Sequence, residues 1–263
     1  MTALRIHVEG IGLWSPQLAD FEALRRLLDG DSPTPPAARP AAAAIPPNER
    51  RRAPEGVLLA VEAAGQAVAM SGRDAAGLAC VFASSHGDQS ITDYMCATLA
   101  HSPTELSPIR FHNSVHNAPA GYWTIAVGCR EPSTAVCGHR ASFGAGLLEA
   151  ASQVLAEQRP VLLVCMDTAG SGPLGEVTGC RQPFACALVL APAASASTRA
   201  RLDIQLNAGV APTPLAPPLE DWREANASAE ALPLLALLAR AGGRCQLAAS
   251  DALGLQIDAE TAA

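Results

Sequence analysis

Apolar positions along this chain fall into short strand-like runs separated by helical stripes. Arg5 to Gly12 alternates apolar and polar residues and ends in glycines, which predicts a strand and a turn. Behind Asp20, apolar residues at 21, 24, 27 and 28 predict a short amphipathic helix, capped by Asp20 and stopped by Gly30. A helix of small residues is expected over Val57–Met70, then a buried strand over Ala76–Ala83. A turn at Ser84-Ser85-His86-Gly87-Asp88 leads to a helix over Ile91–Leu99. Further on, the pattern predicts a helix at Ala120–Val127, a strand at Ser133–Cys137 and a strong helix at Phe143–Glu157. Apolar strands follow at Val161–Met166 and Phe184–Leu190. The last stretch reads as a strand at Leu202–Leu206, a proline-rich crossing at Pro212–Pro218, an apolar helix at Ala229–Ala239 and a hairpin over Cys245–Ile257.

Strands that are apolar almost throughout, alternating with helices, predict an α/β fold around a sheet buried on both faces. Residues 31–56, rich in Pro, Ala and Arg, are expected to form a long surface loop, or a poorly ordered one. Residues 1–200 read as the main domain, and 201–263 as a shortened region packed on the same core.

Composition narrows the function. A chain of 263 residues buries one good core. A net charge of -7 without a basic stripe argues against a nucleic-acid partner. All 18 basic residues are arginines, so Schiff-base and P-loop lysine chemistry is excluded. The N-terminus does not read as a signal peptide, and no apolar run reaches the length of a membrane span. None of the eight cysteines forms a C-x-x-C pair and several sit in apolar strands, so they read as buried thiols of a cytoplasmic protein.

Three local clusters invite chemistry. Ser85, His86 and Asp88 are too close in sequence to converge as a triad, so a turn is the better reading. His112 and His116 stand four apart without an evident third ligand, which favours a surface role over a metal. His139-Arg140 precedes a helix and reads equally as an anion site or as a structural arginine.

One longer pattern connects these clusters. Ser107-Pro108, Asn117, Ala120-Gly121, Gly128 and Pro132 are followed by a strand and a Gly/Ala-rich helix. This layout resembles the N-terminal half of β-ketoacyl synthases. The resemblance implies a thiolase-like, layered αβα fold in which a strand delivers a nucleophilic cysteine to a buried helix N-terminus. Counting forward from Ala120-Gly121 and backward from Val161 both place that nucleophile at Arg140. Cys137 lies three residues early, within the expected strand. None of the six histidines follows His139, so the family's second-half histidines have no counterpart.

The departures resemble chain-length factors, and more closely the short ketosynthase-like proteins of aryl polyene and xanthomonadin-type pathways. The resemblance therefore implies a non-catalytic subunit that needs no cofactor or metal. It would pair with an active β-ketoacyl synthase as a heterodimer and meet an acyl carrier protein. Arg110, Phe111, His116 and Tyr122 are the candidates for lining the acyl tunnel, with His139 and Arg140 at the former nucleophile site. The alternatives are a minimal acyltransferase or thioesterase using Cys137, or a module that only binds acyl carrier protein.

Overall fold

The computed structural model describes residues 3–33, 35–36, 39–209 and 211–262. Eight strands form one mixed sheet: β1 (Leu4–Trp14), β2 (Ala79–Ala83), β3 (Ser133–Val136), β4 (Val161–Asp167), β5 (Phe184–Ala191), β6 (Ala200–Ala208), β7 (Gly243–Ala248) and β8 (Leu253–Thr261). Their order across the sheet is β3-β2-β4-β5-β1-β6-β8-β7. β2 runs parallel to β3 and β4, and the remaining neighbours are antiparallel.

The helices are α1 (Phe21–Leu28), α2 (Pro47–Arg50), α3 (Glu55–Ser71), α4 (Gln89–His101), α5 (Pro108–Asn113), α6 (Ala118–Val127), α7 (Ser142–Glu157), α8 (Gly172–Thr178), α9 (Leu219–Glu224) and α10 (Leu232–Leu238). β4 shows why its run is apolar throughout. Leu162, Val164 and Met166 face the side covered by α3 and α6, while Val161, Leu163 and Cys165 face α7 and the 3-10 turn at Ser228–Ala231. A strand covered on both faces has no polar side to show. The α/β expectation therefore holds as a sheet between two helical layers.

The far end of the sheet is different. Ile204, Leu255, Ile257 and Leu247 pack under α10, but the opposite face carries charge. Arg5–Asp203, Arg201–Glu260 and Arg244–Asp258 pair across it. This is the one-sided burial usual for antiparallel strands.

Four expectations need correction. Gly10 and Gly12 lie inside β1, not in a turn. A Cβ on either would sit 1.9 Å from the carbonyl oxygen of Ala67 or Ala63, so they let α3 lie directly on the strand. Residues 31–56 are not simply a surface loop: they contain α2 and the first turn of α3, and Ala42, Ile45 and Ala53 are buried. Positions 34, 37 and 38 of that stretch lie outside the described residues. β2 starts three residues later than expected, after a 3-10 turn at Ala75–Gly77. Helix α8 was not foreseen, because its Gly-Pro-Leu-Gly sequence reads as a turn.

Candidate functional site

β3 ends at Val136, and the chain passes through Cys137 and Gly138 into a 3-10 turn, His139–Ala141, that leads directly into α7. Ser142 fixes this corner. Its hydroxyl accepts from the Gly138 N–H at 3.0 Å and donates to the His139 carbonyl at 2.6 Å. His139 takes a left-handed φ of 51°, a conformation few non-glycine residues adopt. Gly144, in the first turn of α7, lies against Ala248, where a Cβ would come within 1.9 Å of the carbonyl oxygen. The tip of the β7–β8 hairpin is thereby packed onto the start of α7.

Arg140 stands where the helix dipole would favour an anion. A cation at a helix N-terminus is on the wrong side of that dipole and needs a counter-charge. It has one: the Arg140 guanidinium donates to Glu230 at 2.8 Å and to the Arg223 carbonyl at 2.9 Å. Arg223 in turn pairs with Glu220 and donates to the Thr213 carbonyl at 3.2 Å. A cleft of about 260 Å³ beside Arg140 is bordered by His139, Glu230 and Asp251. These bonds tie Arg140 to residues beyond 200.

The loop Ser84–Asp88 is the meeting point of the other candidates. His116 Nε2 lies 2.9 Å from the Ser84 carbonyl, and the Cys137 thiol donates to the Ser85 carbonyl at 3.2 Å. The His86 and His139 rings meet edge to face at 5.4 Å. Burial, and then His139, push the His86 pKa below its ordinary 6.5. Asp88 caps α4 through an acceptor bond from Ile91, as the turn-then-helix reading requires.

Beneath this loop lies a residue that the sequence reading missed. Asp167, at the end of β4, is fully buried and accepts four hydrogen bonds: from the Ser84 hydroxyl at 2.8 Å, the Ser85 N–H at 2.9 Å, the His86 N–H at 3.2 Å and the Ser228 hydroxyl at 2.6 Å. Burial raises its pKa, and those same bonds oppose the rise. The available signal was a lone carboxylate closing an apolar strand, because buried charge survives only with partners.

Cys137 is exposed, which contradicts its reading as a buried strand cysteine. The strand ends one residue before it, and one face of β3 is bare. Among the described residues its only hydrogen bond is to the Ser85 carbonyl. Cys96 is exposed too, whereas the other six cysteines are buried.

Arg110 lies over the Tyr94 ring at 3.9 Å. Phe111 points outward and is 59% exposed. Tyr122 packs toward the α3 side of the core and donates to Asn113 at 3.2 Å. His112 and His116 do not share a helix, since α5 ends at Asn113. No cluster of three or more metal-ligating side chains occurs among the described residues.

With this geometry established, the relatives can be stated. The family model described as "Beta-ketoacyl synthase, N-terminal domain" matches residues 28–251, and the chain belongs to that family. No curated protein matches it in sequence. Among solved structures, it superposes on a chain of the complex of ketosynthase ApeO with its chain length factor ApeC from Xenorhabdus doucetiae. The TM-score is 0.69 at 22% identity, over 96% of this chain and 98% of that one. It matches a chain of the AntDE:AntF complex, a type II acyl-carrier protein with its hexaketide-bound ketosynthase, with TM-score 0.73, 14% identity and full coverage of both chains. A β-ketoacyl synthase from Burkholderia phymatum gives TM-score 0.56 at 16% identity, over 78% of this chain and 64% of that one. At these identities the likeness is one of fold. No helix among the described residues is long and apolar enough to cross a membrane.

Proposed function

We propose that this chain is a non-catalytic, chain-length-factor-type subunit that pairs with an active β-ketoacyl synthase. In this reading it helps shape the tunnel for a carrier-tethered chain in aryl polyene, polyketide or fatty-acid-like biosynthesis in the cytoplasm. The carrying observation is Arg140. The position that would need a thiol holds a guanidinium bonded to Glu230 and the Arg223 carbonyl, and no histidine follows His139.

The two edges of the sheet support pairing. At β7 the edge is covered: Thr213 N–H donates to the Gln246 carbonyl at 3.1 Å, and Gln246 N–H donates to the Thr213 hydroxyl at 2.8 Å. At β3 the edge is open, with Ser133, Ala135 and Cys137 exposed. An unprotected edge strand is a template for another chain. A carrier protein fits the Arg50-Arg51-Arg52 run just before α3, the densest positive stretch of an acidic chain.

Co-expression with the β-ketoacyl synthase of the same organism, followed by gel filtration with light scattering, tests the reading. A one-to-one complex that condenses malonyl units only through the partner's cysteine is expected. Independent elution of the two chains would overturn it. Cys137 is the alternative nucleophile, and its exposure is the one observation in favour. Acylation of the isolated chain at Cys137 by a thioester probe, lost in Cys137→Ala, would support that alternative.

A further inference from the structure

Two cysteine thiols share one acceptor. Cys80, the second residue of β2, donates to the Leu78 carbonyl at 3.3 Å. Cys129, two residues past the end of α6, donates to the same carbonyl at 3.3 Å. The backbone joins the same two segments, because the Cys80 N–H donates to the Pro132 carbonyl at 2.9 Å. The sulfurs sense each other: burial, and then the Cys129 thiol, push the Cys80 pKa up to about 12. The Trp123 indole N–H, buried and without a hydrogen-bond partner, lies beside the Cys80 sulfur. The two thiols differ in access. Cys80 is sealed, whereas Cys129 keeps 8% of its surface exposed on the loop into β3. Arg159, paired with Glu131 of that loop, places a guanidinium near both sulfurs. Cys165 and Cys186 also stand opposite each other, across β4 and β5, but both are fully enclosed.

We propose that Cys80 and Cys129 form a redox modification site, which hydrogen peroxide converts to an intramolecular disulfide that latches the loop after α6 onto β2. The inference goes beyond the subunit reading and does not depend on it. Access sets the order of the steps. The Cys129 thiolate attacks one peroxide oxygen. An S–O bond forms, the O–O bond breaks, and the other oxygen leaves as water with the thiol's proton, giving a sulfenic acid. The Cys80 sulfur then attacks the Cys129 sulfur. The S–S bond forms, the S–O bond breaks, and hydroxide leaves with the Cys80 proton as a second water. Two thiols thus lose two electrons, and one peroxide gains them. A buried thiol held at a high pKa is a poor first nucleophile. Sharing an acceptor with Cys129 keeps Cys80 beside the sulfenic acid, so its attack is intramolecular. The Leu78 carbonyl loses only two weak donors. Where thiols are kept reduced, such a link is transient and senses oxidants.

The test is hydrogen peroxide treatment of the folded chain in a Cys96→Ser/Cys137→Ser background, which removes the two exposed thiols. Remaining free thiols are then alkylated and the tryptic peptides are weighed. Cys80 falls in peptide 74–110 and Cys129 in peptide 111–130, so the disulfide shows as one linked pair. Expected are that pair, two hydrogens lighter than the sum of its parts, and its loss in dithiothreitol. The melting temperature should rise by roughly 5 °C or more on linking. Cys165 and Cys186 should stay reduced. Cys129→Ser in the same background should remove both the pair and the rise in melting temperature. Wild type with its two exposed thiols alkylated beforehand repeats the experiment without any substitution. Cys80 and Cys129 both recovered as alkylated thiols, under peroxide that oxidises Cys96 in untreated wild type, would overturn the inference. So would sulfenic or sulfinic acid accumulating at Cys129 without the linked pair, or a pair that forms only in denaturant.

Discussion

Replacing Arg140 separates a structural arginine from an anion-binding one. Arg140→Ala removes a charged hydrogen bond to the Arg223 carbonyl at 2.9 Å and an ion pair to Glu230 at 2.8 Å. Hydrogen bonds to charged groups contribute about 1.5–3 kcal/mol when well buried. Here the two side chains keep 35% and 22% of their exposure, so solvent screens the pair toward the lower end. Against this, removing a cation from the start of α7 relieves about 0.3–1 kcal/mol of unfavourable dipole interaction. The balance is a loss of roughly 1–2 kcal/mol. Glu230→Gln should cost less, because Arg140 keeps its carbonyl partner. The double variant should show a coupling of about 0.5–1 kcal/mol.

Urea unfolding followed by far-UV circular dichroism measures these differences as midpoint shifts at constant slope. A second readout is chemical. Arg140→Cys places a thiol at a helix N-terminus, where its pKa should fall, yet no histidine follows His139 to assist it. That variant alone should neither decarboxylate nor condense malonyl-carrier protein. An Arg140→Ala chain with an unshifted midpoint and abolished product formation would instead assign Arg140 to ligand binding. Condensation by isolated Arg140→Cys would refute the account of the site.

Other outcomes follow from the same geometry. In the parallel β2–β3 ladder, the Cys80 and Ser84 N–H groups bond Pro132 and Val136, so Ala135 turns its N–H outward. Ala135→Pro should therefore abolish the heterodimer on gel filtration with little change in the melting temperature of the isolated chain; undiminished complex would remove β3 from the interface. Asp167→Ala leaves two buried N–H groups and two hydroxyls without their acceptor and should cost on the order of 3–5 kcal/mol. Asp167→Asn keeps one acceptor oxygen and should cost about 1 kcal/mol. Burial raises the Asp167 carboxyl above its ordinary 3.8, so its ionisation costs stability as pH rises through that window, and the Asn variant should lack this slope. Equal losses for Ala and Asn in denaturant titrations would mean that the four bonds are dispensable. Burial lowers both His7 and His86 below 6.5, so as pH falls through that value the unfolded chain takes up protons first and stability is lost. His86→Gln should flatten the fall in melting temperature below pH 6.5, and an unchanged pH profile would rule out the His86 contribution.

What could be read from sequence was what local physics dictates. Asp20 caps α1 through the Ala23 N–H, and β4 and β5 are apolar because both faces are covered. Arg140 falls in the turn that leads into α7, as both residue counts required. What escaped depends on contacts between distant segments. The role of Gly10 and Gly12 is set by carbonyls of α3, more than fifty residues away. Cys137 was assigned by residue type, but exposure depends on where its strand lies in the sheet, and β3 is an edge. Ile45 and Ala42 are buried within a proline-rich stretch whose composition suggested solvent. The acceptor at Asp167 is built from Ser84, Ser85, His86 and Ser228, which no spacing rule brings together.

These long-range contacts share a direction. Glu230 and the Arg223 carbonyl hold Arg140, Ala248 lies on Gly144, Ser228 bonds Asp167, and Asn226 donates to the Asp167 carbonyl at 2.9 Å. Every one of them reaches from beyond residue 200 to the corner between β3, β4 and α7. The same region covers the β7 edge through Thr213. Residues beyond 200 thus brace this corner with hydrogen bonds and packing, leaving a cleft of about 260 Å³ beside Arg140, while the β3 edge on the other side stays bare. The corner is therefore tied together from the far end of the chain, and its cleft and its strand edge remain reachable from solvent. In Arg140→Cys, Glu230, Ser228 and the hairpin tip should remain in place around the new thiol, because their other contacts do not depend on the guanidinium.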